Sequence, residues 1–381
     1  MKIAVMALSG GMDSTSLLLR LLREGNTVYT IGFNYGQKHI VELSRAQDNI
    51  DYLSENGYQI SHNVVDLSSL MSMFTGSLTS DEEVPKGYYE EQQMKTTVVP
   101  NRNAIFSSMI YGYALSLSNQ YECNVSISLG VHSGDHAIYP DCRPEFYQSL
   151  NKAFELGNWN SDKVKLDLPY IDGDKESILR DAIVSCEHLD LDFDTIMANT
   201  NTSYEPDEQG RSSGKTGSDI ERILAFNAIG RKDPVIYQQD WQQVLDHALS
   251  VEKEYMDKIY REKLTDLQYQ VTRNSATERA FTGIYDKHFA KGNYYCICCN
   301  HLLFSSQSKY NSGCGWPAFH SEDLNANISR VTDKSHGMIR VEVRCSKCDA
   351  HLGHVFNDGP KEFGGERYCI NSAALIFKEE K

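Results

Sequence analysis

Two groups of residues able to carry chemistry stand far apart in this chain. Near its start, Ser9–Ser14 reads Ser-Gly-Gly-Met-Asp-Ser, a loop in which glycines let backbone N–H groups approach a phosphate closely. Towards its end, two Cys-x-x-Cys pairs have the spacing of a structural zinc site, and a lone Cys369 follows them. The first group predicts ATP chemistry, and the second predicts a zinc beside a reactive thiol. Their separation predicts two enzymes on one polypeptide.

The N-terminal loop lies between a predicted strand and a predicted helix, so the positive end of the helix dipole can add to its affinity for phosphate. Its serines add hydroxyl donors, and Asp13 can place Mg²⁺ or cap the helix. The loop lacks the lysine of a Walker A sequence. A glycine turn before a capped helix is the alternative interpretation. The candidate ATP-binding residues here are Ser9, Gly10, Gly11, Asp13 and Ser14.

Three further clusters place polar groups at predicted strand ends, where open α/β sheets bind ligands. They are residues 33–39, 99–103 and 130–146. Lys38 and Arg102 can offset the charge of a phosphate or a carboxylate. Asp135, Asp141 and Arg143 can recognise a base or bind Mg²⁺; surface ion pairs or loop caps are the alternative for any one of these residues.

The C-terminal cysteines separate into a metal set and a redox set. Four thiolates close a tetrahedron and leave no open position, so the predicted zinc is structural; free buried cysteines are the alternative. Cys369 follows Arg367, and a cation beside a thiol lowers its pKa and stabilises the thiolate. Cys314 stands two residues before Trp316, whose ring can pack against a methyl group. The metal set is Cys296, Cys299, Cys345 and Cys348.

Composition limits the classes of function. The net charge of −15 over 381 residues argues against a broad nucleic-acid interface, which needs a basic face. No apolar run is long enough to span a bilayer. The apolar residues 1–8 run into the glycine loop without a cleavage site, so we expect a cytoplasmic protein. Seven of the ten cysteines lie within residues 296–369, which indicates metal and redox chemistry rather than disulfide staples.

The elements that must position these residues follow from periodicity. Apolar runs at 3–8, 28–33, 124–131 and 164–171 alternate with helical patterns at 13–23, 104–117 and 175–187. This alternation predicts an α/β fold, a parallel sheet with helices on both faces. A polar loop follows at 199–217 and a charged helix at 241–263. Beyond residue 283 the pattern predicts a small β-rich, zinc-containing domain. The predicted domains are 1–245 and 258–381, joined by a helical linker at 246–257.

Taken in order, the loop Ser9–Ser14 and the three polar clusters resemble the 7-cyano-7-deazaguanine synthase family, of the PP-loop ATP pyrophosphatase group, over about residues 1–240. The resemblance implies that ATP activates the carboxylate of 7-carboxy-7-deazaguanine. Ammonia then gives an amide, and a second activation dehydrates the amide to a nitrile. It also implies an adenine-nucleotide-hydrolase-like fold and favours a homodimer, because that family forms dimers.

One departure from that family concerns a metal. Its members usually carry four zinc-binding cysteines at the end of this domain, where this chain has Ser203, Ser213, Thr216 and Asp219. Hydroxyls are poor zinc ligands compared with thiolates, so we predict no zinc here. We hypothesise that Lys215 and Asp219 form a hydrogen-bonded or ionic clip instead. The departure leaves two alternatives open: a domain that binds ATP or a deazaguanine without turnover, and one that activates a different carboxylate.

The C-terminal part resembles peptide methionine-R-sulfoxide reductase over about residues 255–381, through residues 264–283, 314–319, 351–356, 367–377 and the zinc pairs. The resemblance implies that Cys369 attacks the sulfoxide sulfur and becomes a sulfenic acid. Cys314 then forms a disulfide that thioredoxin reduces. It further implies roles around the substrate: His351, His354 and Asn371 orient or protonate its oxygen, Arg367 supports the thiolate, and Trp316 contacts the ε-methyl group.

Overall fold

The computed structural model describes residues 2–37, 40–74, 85–204, 206–207, 209–323, 326 and 328–380. The chain forms two compact units, Met1–Lys253 and Glu254–Lys381. The boundary lies inside one long helix, Trp241–Lys263, and so does the predicted linker 246–257. The domain boundaries expected from the sequence, 1–245 and 258–381, remain a prediction.

Five parallel strands form the centre of the first unit: β1 Ile3–Ala7, β2 Thr27–Asn34, β3 Ser61–Asp66, β4 Val125–Ser128 and β5 Val164–Asp167. They pair in the order β3-β2-β1-β4-β5. The helices of this part are α1 Met12–Arg23, α2 Val41–Glu55, α3 Ser68–Met71, α4 Arg102–Tyr121, α5 Pro144–Gly157, α6 Lys175–Leu189, α7 Phe193–Ala198, α8 Gly217–Ala228 and α9 Trp241–Lys263.

The central strand β1 is apolar at every position because both of its faces are buried. Ala4 and Met6 pack in one core with α1 and α6, while Ile3 and Val5 pack in a second core with α4. Successive side chains of a strand point to opposite faces, so helices cover both sides of the sheet. This confirms the predicted fold class of the first unit.

Strands β1 and β4 are neighbours at the middle of the sheet, and the direction in which the strand order runs reverses between them. Parallel α/β sheets leave a crevice at such a switch point, outside the carboxyl ends of the strands. The predicted strand 124–131 ends earlier than expected, at Ser128, and the predicted strand 164–171 ends at Asp167. Leu129–Val131 therefore belong to the loop above the sheet and line the crevice.

The second unit is antiparallel. Its elements are α10 Asp266–Asn274, β6 Gly292–Cys296, β7 Leu302–Ser305, β8 Lys309–Tyr310, β9 Ala318–Phe319, β10 Ile328–Asp333, β11 Arg340–Cys345, β12 His351–Phe356, β13 Arg367–Ile370 and β14 Leu375–Glu379. The strands form two sheets, β10-β11-β12-β13-β9-β8 and β14-β6-β7. Phe319 joins them, because its ring stacks on Phe304 and meets Tyr294 edge-on. The predicted β-rich domain is confirmed. Over the described residues, no helix has the length and apolar character needed to cross a membrane.

Candidate active sites

A cavity of about 260 Å³ opens at the switch point of the parallel sheet. Six of the predicted N-terminal site residues line it: Ser9, Gly11, Asp13, Ser14, Arg102 and Asp135. Gly10 belongs to the same loop but does not line the cavity. Its φ is +83°, and a Cβ there would lie 1.9 Å from the carbonyl oxygen of Glu42. Only glycine can occupy that position. Lys38 lies outside the described residues.

The loop after β1 presents open hydrogen-bond donors to this cavity. Gly11 is the N-cap of α1 and offers no side chain to the first turn of the helix. The two serines close the loop, with 3.0 Å between their Oγ atoms, and Gly11 N donates to Ser9 Oγ at 3.2 Å. The N–H groups at the start of α1 are thus not used by a capping side chain, which suits an anion.

A buried lysine supplies the positive charge that the loop lacks. Lys175 Nζ lies 2.7 Å from Asp13 Oδ2, 3.4 Å from Glu221 Oε2 and 3.3 Å from His132 Nε2. Burial raises the pKa of Asp13, but Lys175 and His132 outweigh burial and hold it below its ordinary value. Asp13 is therefore ionised. Its Oδ1 atom is buried without a hydrogen-bond partner among the described residues.

Aromatic rings and one arginine form the wall of the cavity. The Arg102 guanidinium lies 5.7 Å from the ring centre of Tyr35 and 5.9 Å from that of Tyr139. The rings of Phe33 and Phe106 stack at 4.1 Å. Such a wall accepts a flat aromatic ligand, and the guanidinium can meet a carboxylate on it.

Besides Gly10, two predicted residues do not line this cavity. Asp141 lies beside it, where its Oδ2 accepts a hydrogen bond from Asn103 N at 3.3 Å. Arg143 is exposed and donates from Nε to the carbonyl oxygen of His136 at 2.9 Å. The geometry gives Arg143 a role in holding the turn before α5 and no contact with the cavity.

The four paired cysteines of the second unit meet at one point. Their Sγ atoms all lie within 4.8 Å of one another, and the cross-pair distances Cys296–Cys348 and Cys299–Cys345 are both 3.6 Å. Zinc–sulfur bonds of about 2.3 Å in a tetrahedron place the sulfurs about 3.8 Å apart, so this set fits zinc.

The same local turn builds each half of this cluster. Asn300 N donates to the carbonyl oxygen of Cys296 at 2.8 Å, and Asp349 N donates to that of Cys345 at 2.8 Å. Asn300 and Asp349 both have positive φ, a conformation that Asn and Asp tolerate better than most residues. The repeated turn points both thiols of each pair to one side.

The two remaining thiols form a close pair. Cys314 Sγ lies 3.5 Å from Cys369 Sγ, and Ser312 Oγ lies 3.0 Å from Cys314 Sγ. The contact between the two sulfurs lowers the pKa of Cys314 to about 5 and raises the pKa of Cys369. Arg367 lowers both pKa values. The sulfurs therefore share one proton and one negative charge, which belongs to the pair.

Both histidines are oriented by carboxylates. His354 lies opposite Cys369 in the β12–β13 ladder, and its Nε2 lies 2.8 Å from Asp333 Oδ2. His351 Nδ1 lies 2.5 Å from Glu342 Oε1, and its buried Nε2 has no hydrogen-bond partner among the described residues. Burial lowers the pKa of His351, so its ring is neutral at pH 7.

The other predicted residues of this site are held by specific partners. Arg367 makes a two-point contact with Asp358 at 2.8 and 2.9 Å. Trp316 Nε1 donates to the carbonyl oxygen of Glu278 at 3.0 Å. Asn371 is buried and bridges two backbone groups, Glu278 N and the carbonyl oxygen of Leu352. Its amide leaves one N–H for other contacts.

Comparison with known proteins assigns the first unit. Residues 3–230 match the family described as queuosine biosynthesis protein QueC. This part is 41% identical to the 7-cyano-7-deazaguanine synthase of Hahella chejuensis, over 62% of this chain and 93% of that protein. It is 42% identical to the synthase of a Marinomonas species, over 62% and 98% of the two chains. The chain belongs to the QueC family.

Residues 264–379 match the SelR domain, so the chain is an enzyme that joins a QueC part to a SelR domain. Among solved structures it is similar to NMN synthetase from Francisella tularensis at a TM-score of 0.28 and 13% identity, over 64% and 82% of the two chains. A likeness this weak carries no weight for fold or function.

The sequence analysis missed one charged residue in each part of the chain. Lys175 of the QueC part occupies the first position of α6, where a cation opposes the helix dipole, and this was the available signal. In the SelR domain, the Glu278 carboxylate is buried and accepts hydrogen bonds from Ser372 N at 2.6 Å and Ala373 N at 2.9 Å. No short pattern in the sequence marks Glu278.

Proposed function

We propose that the QueC part converts 7-carboxy-7-deazaguanine and ammonia to 7-cyano-7-deazaguanine with ATP, and that the SelR domain reduces methionine-R-sulfoxide in proteins. The observation that carries the first activity is the cavity in which the open N-terminus of α1 and the Lys175 ammonium face an aromatic wall. The close thiol pair carries the second. We also propose a cytoplasmic location, with thioredoxin as the reductant.

In the synthase reaction, a carboxylate oxygen of the substrate attacks the α-phosphorus of ATP, and pyrophosphate leaves. The N–H groups of residues 12–14 and Lys175 stabilise the departing charge. Ammonia attacks the acyl carbon and expels AMP, leaving the amide. The amide oxygen then attacks a second ATP, pyrophosphate leaves again, and loss of AMP and a proton gives the nitrile. Each nitrile therefore consumes two ATP.

Mg²⁺ fits this site, because Asp13 keeps a buried carboxylate oxygen that no described group occupies. Asp13 and Asp135 would hold the ion, which would neutralise phosphate charge. Arg102 is positioned to meet the substrate carboxylate, and the ring pair of Phe33 and Phe106 can flank the deazaguanine plane.

In the reductase reaction, transfer of the shared proton to Cys314 leaves the charge on Cys369. The Cys369 sulfur attacks the sulfoxide sulfur, the oxygen passes to Cys369 as a sulfenic acid, and methionine leaves after one proton is taken up. His354, which is held by Asp333, can supply that proton. The neutral His351 ring keeps its proton on Nδ1 beside Glu342, and its free Nε2 can accept a hydrogen bond from the protonated oxygen. Cys314 then attacks the sulfenic acid, releasing water and forming a disulfide. Zinc in the four-cysteine cluster would stabilise this domain.

The test uses purified full-length protein with 7-carboxy-7-deazaguanine, ATP, Mg²⁺ and ammonium, followed by mass spectrometry of the product. Reduction of a methionine-R-sulfoxide peptide is measured on the same sample. Asp13→Asn should abolish only nitrile formation, and Cys369→Ser should abolish only peptide reduction, so each variant controls for the other. A protein that binds ATP and reduces the peptide, yet makes neither amide nor nitrile, would instead support a binding domain or a different carboxylate substrate.

A further inference from the structure

Of the four positions at which the resembled family carries cysteine, three donate hydrogen bonds to one carboxylate oxygen of the fourth, Asp219. Asp219 Oδ2 accepts hydrogen bonds from Ser203 Oγ at 3.1 Å and Ser213 Oγ at 2.9 Å. The backbone N–H groups of Lys215 and Thr216 add two more, at 3.2 and 3.3 Å. Hydroxyls and a carboxylate that are bound to one another do not fit a structural zinc, which takes thiolates or imidazoles.

This cluster is more than the cap of a helix. Asp219 is the third residue of α8 and forms a capping box with Thr216, which explains its bond to Thr216 N. The bonds from Ser203 and Ser213 come from other segments, and a capping box does not need them. All four side chains are buried. Buried carboxylates are costly unless several donors meet them, so these bonds fix where the segments lie.

The tied segments carry wall residues of the nucleotide cavity. Thr202 and Tyr204 flank Ser203, while Ser218 and Glu221 lie beside Asp219, and all four line the cavity. Glu221 is also a partner of Lys175. A shift of either segment would therefore move the charge network and the aromatic wall together.

We infer that the Asp219 carboxylate replaces a structural metal in the QueC part, as a clip formed by Ser203, Ser213, Thr216 and Asp219 that positions the cavity wall for ATP. Lys215 joins the clip through its backbone and not through its ammonium. The inference deepens the proposed synthase function and rests on it only for the identity of the ligand. Asp219 is a positioning residue.

The first experiment removes the carboxylate from the full-length protein. Asp219→Ala should raise the ATP dissociation constant and the rate of trypsin cleavage after Arg211 and Lys215, each by roughly tenfold, because the clip no longer holds residues 213–216 against Asp219. Asp192→Ala is the matched control, since Asp192 caps α7 through Thr195 N at 2.6 Å without joining the clip. If both variants bind ATP and resist trypsin equally well, the inference is wrong.

The second experiment restores cysteine at all four clip positions. Metal analysis should rise from one zinc per chain to two, and zinc should return ATP affinity and trypsin resistance to within about threefold of the original chain; Asp219→Ala should not respond to zinc. Only one zinc per folded quadruple variant would overturn the inference. If that variant does not fold, the comparison of Asp219→Ala with Asp192→Ala decides. None of these readouts requires nitrile formation, so failure of the synthase proposal is seen separately.

Discussion

The Lys175 network makes the sharpest prediction for the QueC part. Replacing this lysine by methionine keeps an unbranched side chain, one atom shorter, but removes the charge between Asp13 and Glu221. At an effective dielectric constant of about 20, the contacts of 2.7 and 3.4 Å are each worth about 5–6 kcal/mol before desolvation is subtracted. Removing one partner of a buried pair costs about 3–5 kcal/mol. Because the two carboxylates retain 23% and 21% exposure, we expect a loss of about 3 kcal/mol.

Urea-dependent hydrogen exchange of peptides from β1 and β4, read by mass spectrometry, isolates the stability of the first unit. The matched control is Lys232→Met at an exposed lysine, which should change stability by less than about 0.5 kcal/mol. Adding Asp13→Asn to Lys175→Met should recover at least about 1 kcal/mol, because one of the two carboxylate charges that lost the lysine is then gone. A loss below about 1 kcal/mol, or no recovery in the double variant, would refute the reasoning.

The same network predicts a dependence on pH. Asp13 has a pKa below its ordinary 3.8 in the folded protein, so its stabilisation is present above pH 3.8 and is lost as pH falls through the lowered value. Without Lys175 that stabilisation is missing at neutral pH. The difference in unfolding free energy between Lys175→Met and the original chain should therefore narrow as the pH falls below about 4.

Three further predictions concern the SelR domain. Alkylation of Cys314 by iodoacetamide, followed by peptide mass spectrometry, should have its midpoint near pH 5. Cys369→Ala and Arg367→Met should each move the midpoint upward, because each removes a group that stabilises the thiolate. An unmoved midpoint would contradict the shared charge. A chelator that strips zinc should abolish peptide reduction while nitrile formation stays within about twofold, as two parallel assays would show. Glu278→Gln should destabilise the domain by about 2 kcal/mol in hydrogen exchange, since two buried N–H groups lose a charged acceptor.

Local patterns were enough to identify the candidate reacting groups. The loop Ser9–Ser14 and the two Cys-x-x-Cys pairs are short stretches in which spacing alone sets the geometry. The central strand of the parallel sheet was also predictable, because β1 is buried on both faces and its apolar run is continuous. By contrast, β3 was missed: it lies at the edge of the sheet, four of its six residues are exposed, and its sequence is largely polar.

The partners of those groups could not be predicted in the same way. Lys175 meets Asp13 across 162 positions of the chain, and Glu278 meets Ser372 across 94. Contacts between residues so far apart in the sequence form only when the helices and strands pack together. Arg143 shows the opposite error. We predicted it in the site because it is close in sequence to a predicted strand end, but its side chain is exposed.

A sequence pattern therefore identifies the candidate reacting group. Whether a charged group can function when it is buried depends on the oppositely charged side chain beside it. Asp13 needs Lys175, His354 has Asp333, and Arg367 has Asp358. The Asp219 clip extends the argument to a lost metal site. Zinc and a carboxylate have opposite charge, yet each can gather several ligands around one centre: zinc gathers thiolates, and the carboxylate gathers N–H and O–H donors. A family member that lacks its metal ligands should accordingly be judged by whether another group ties the same segments, rather than by the missing residues alone.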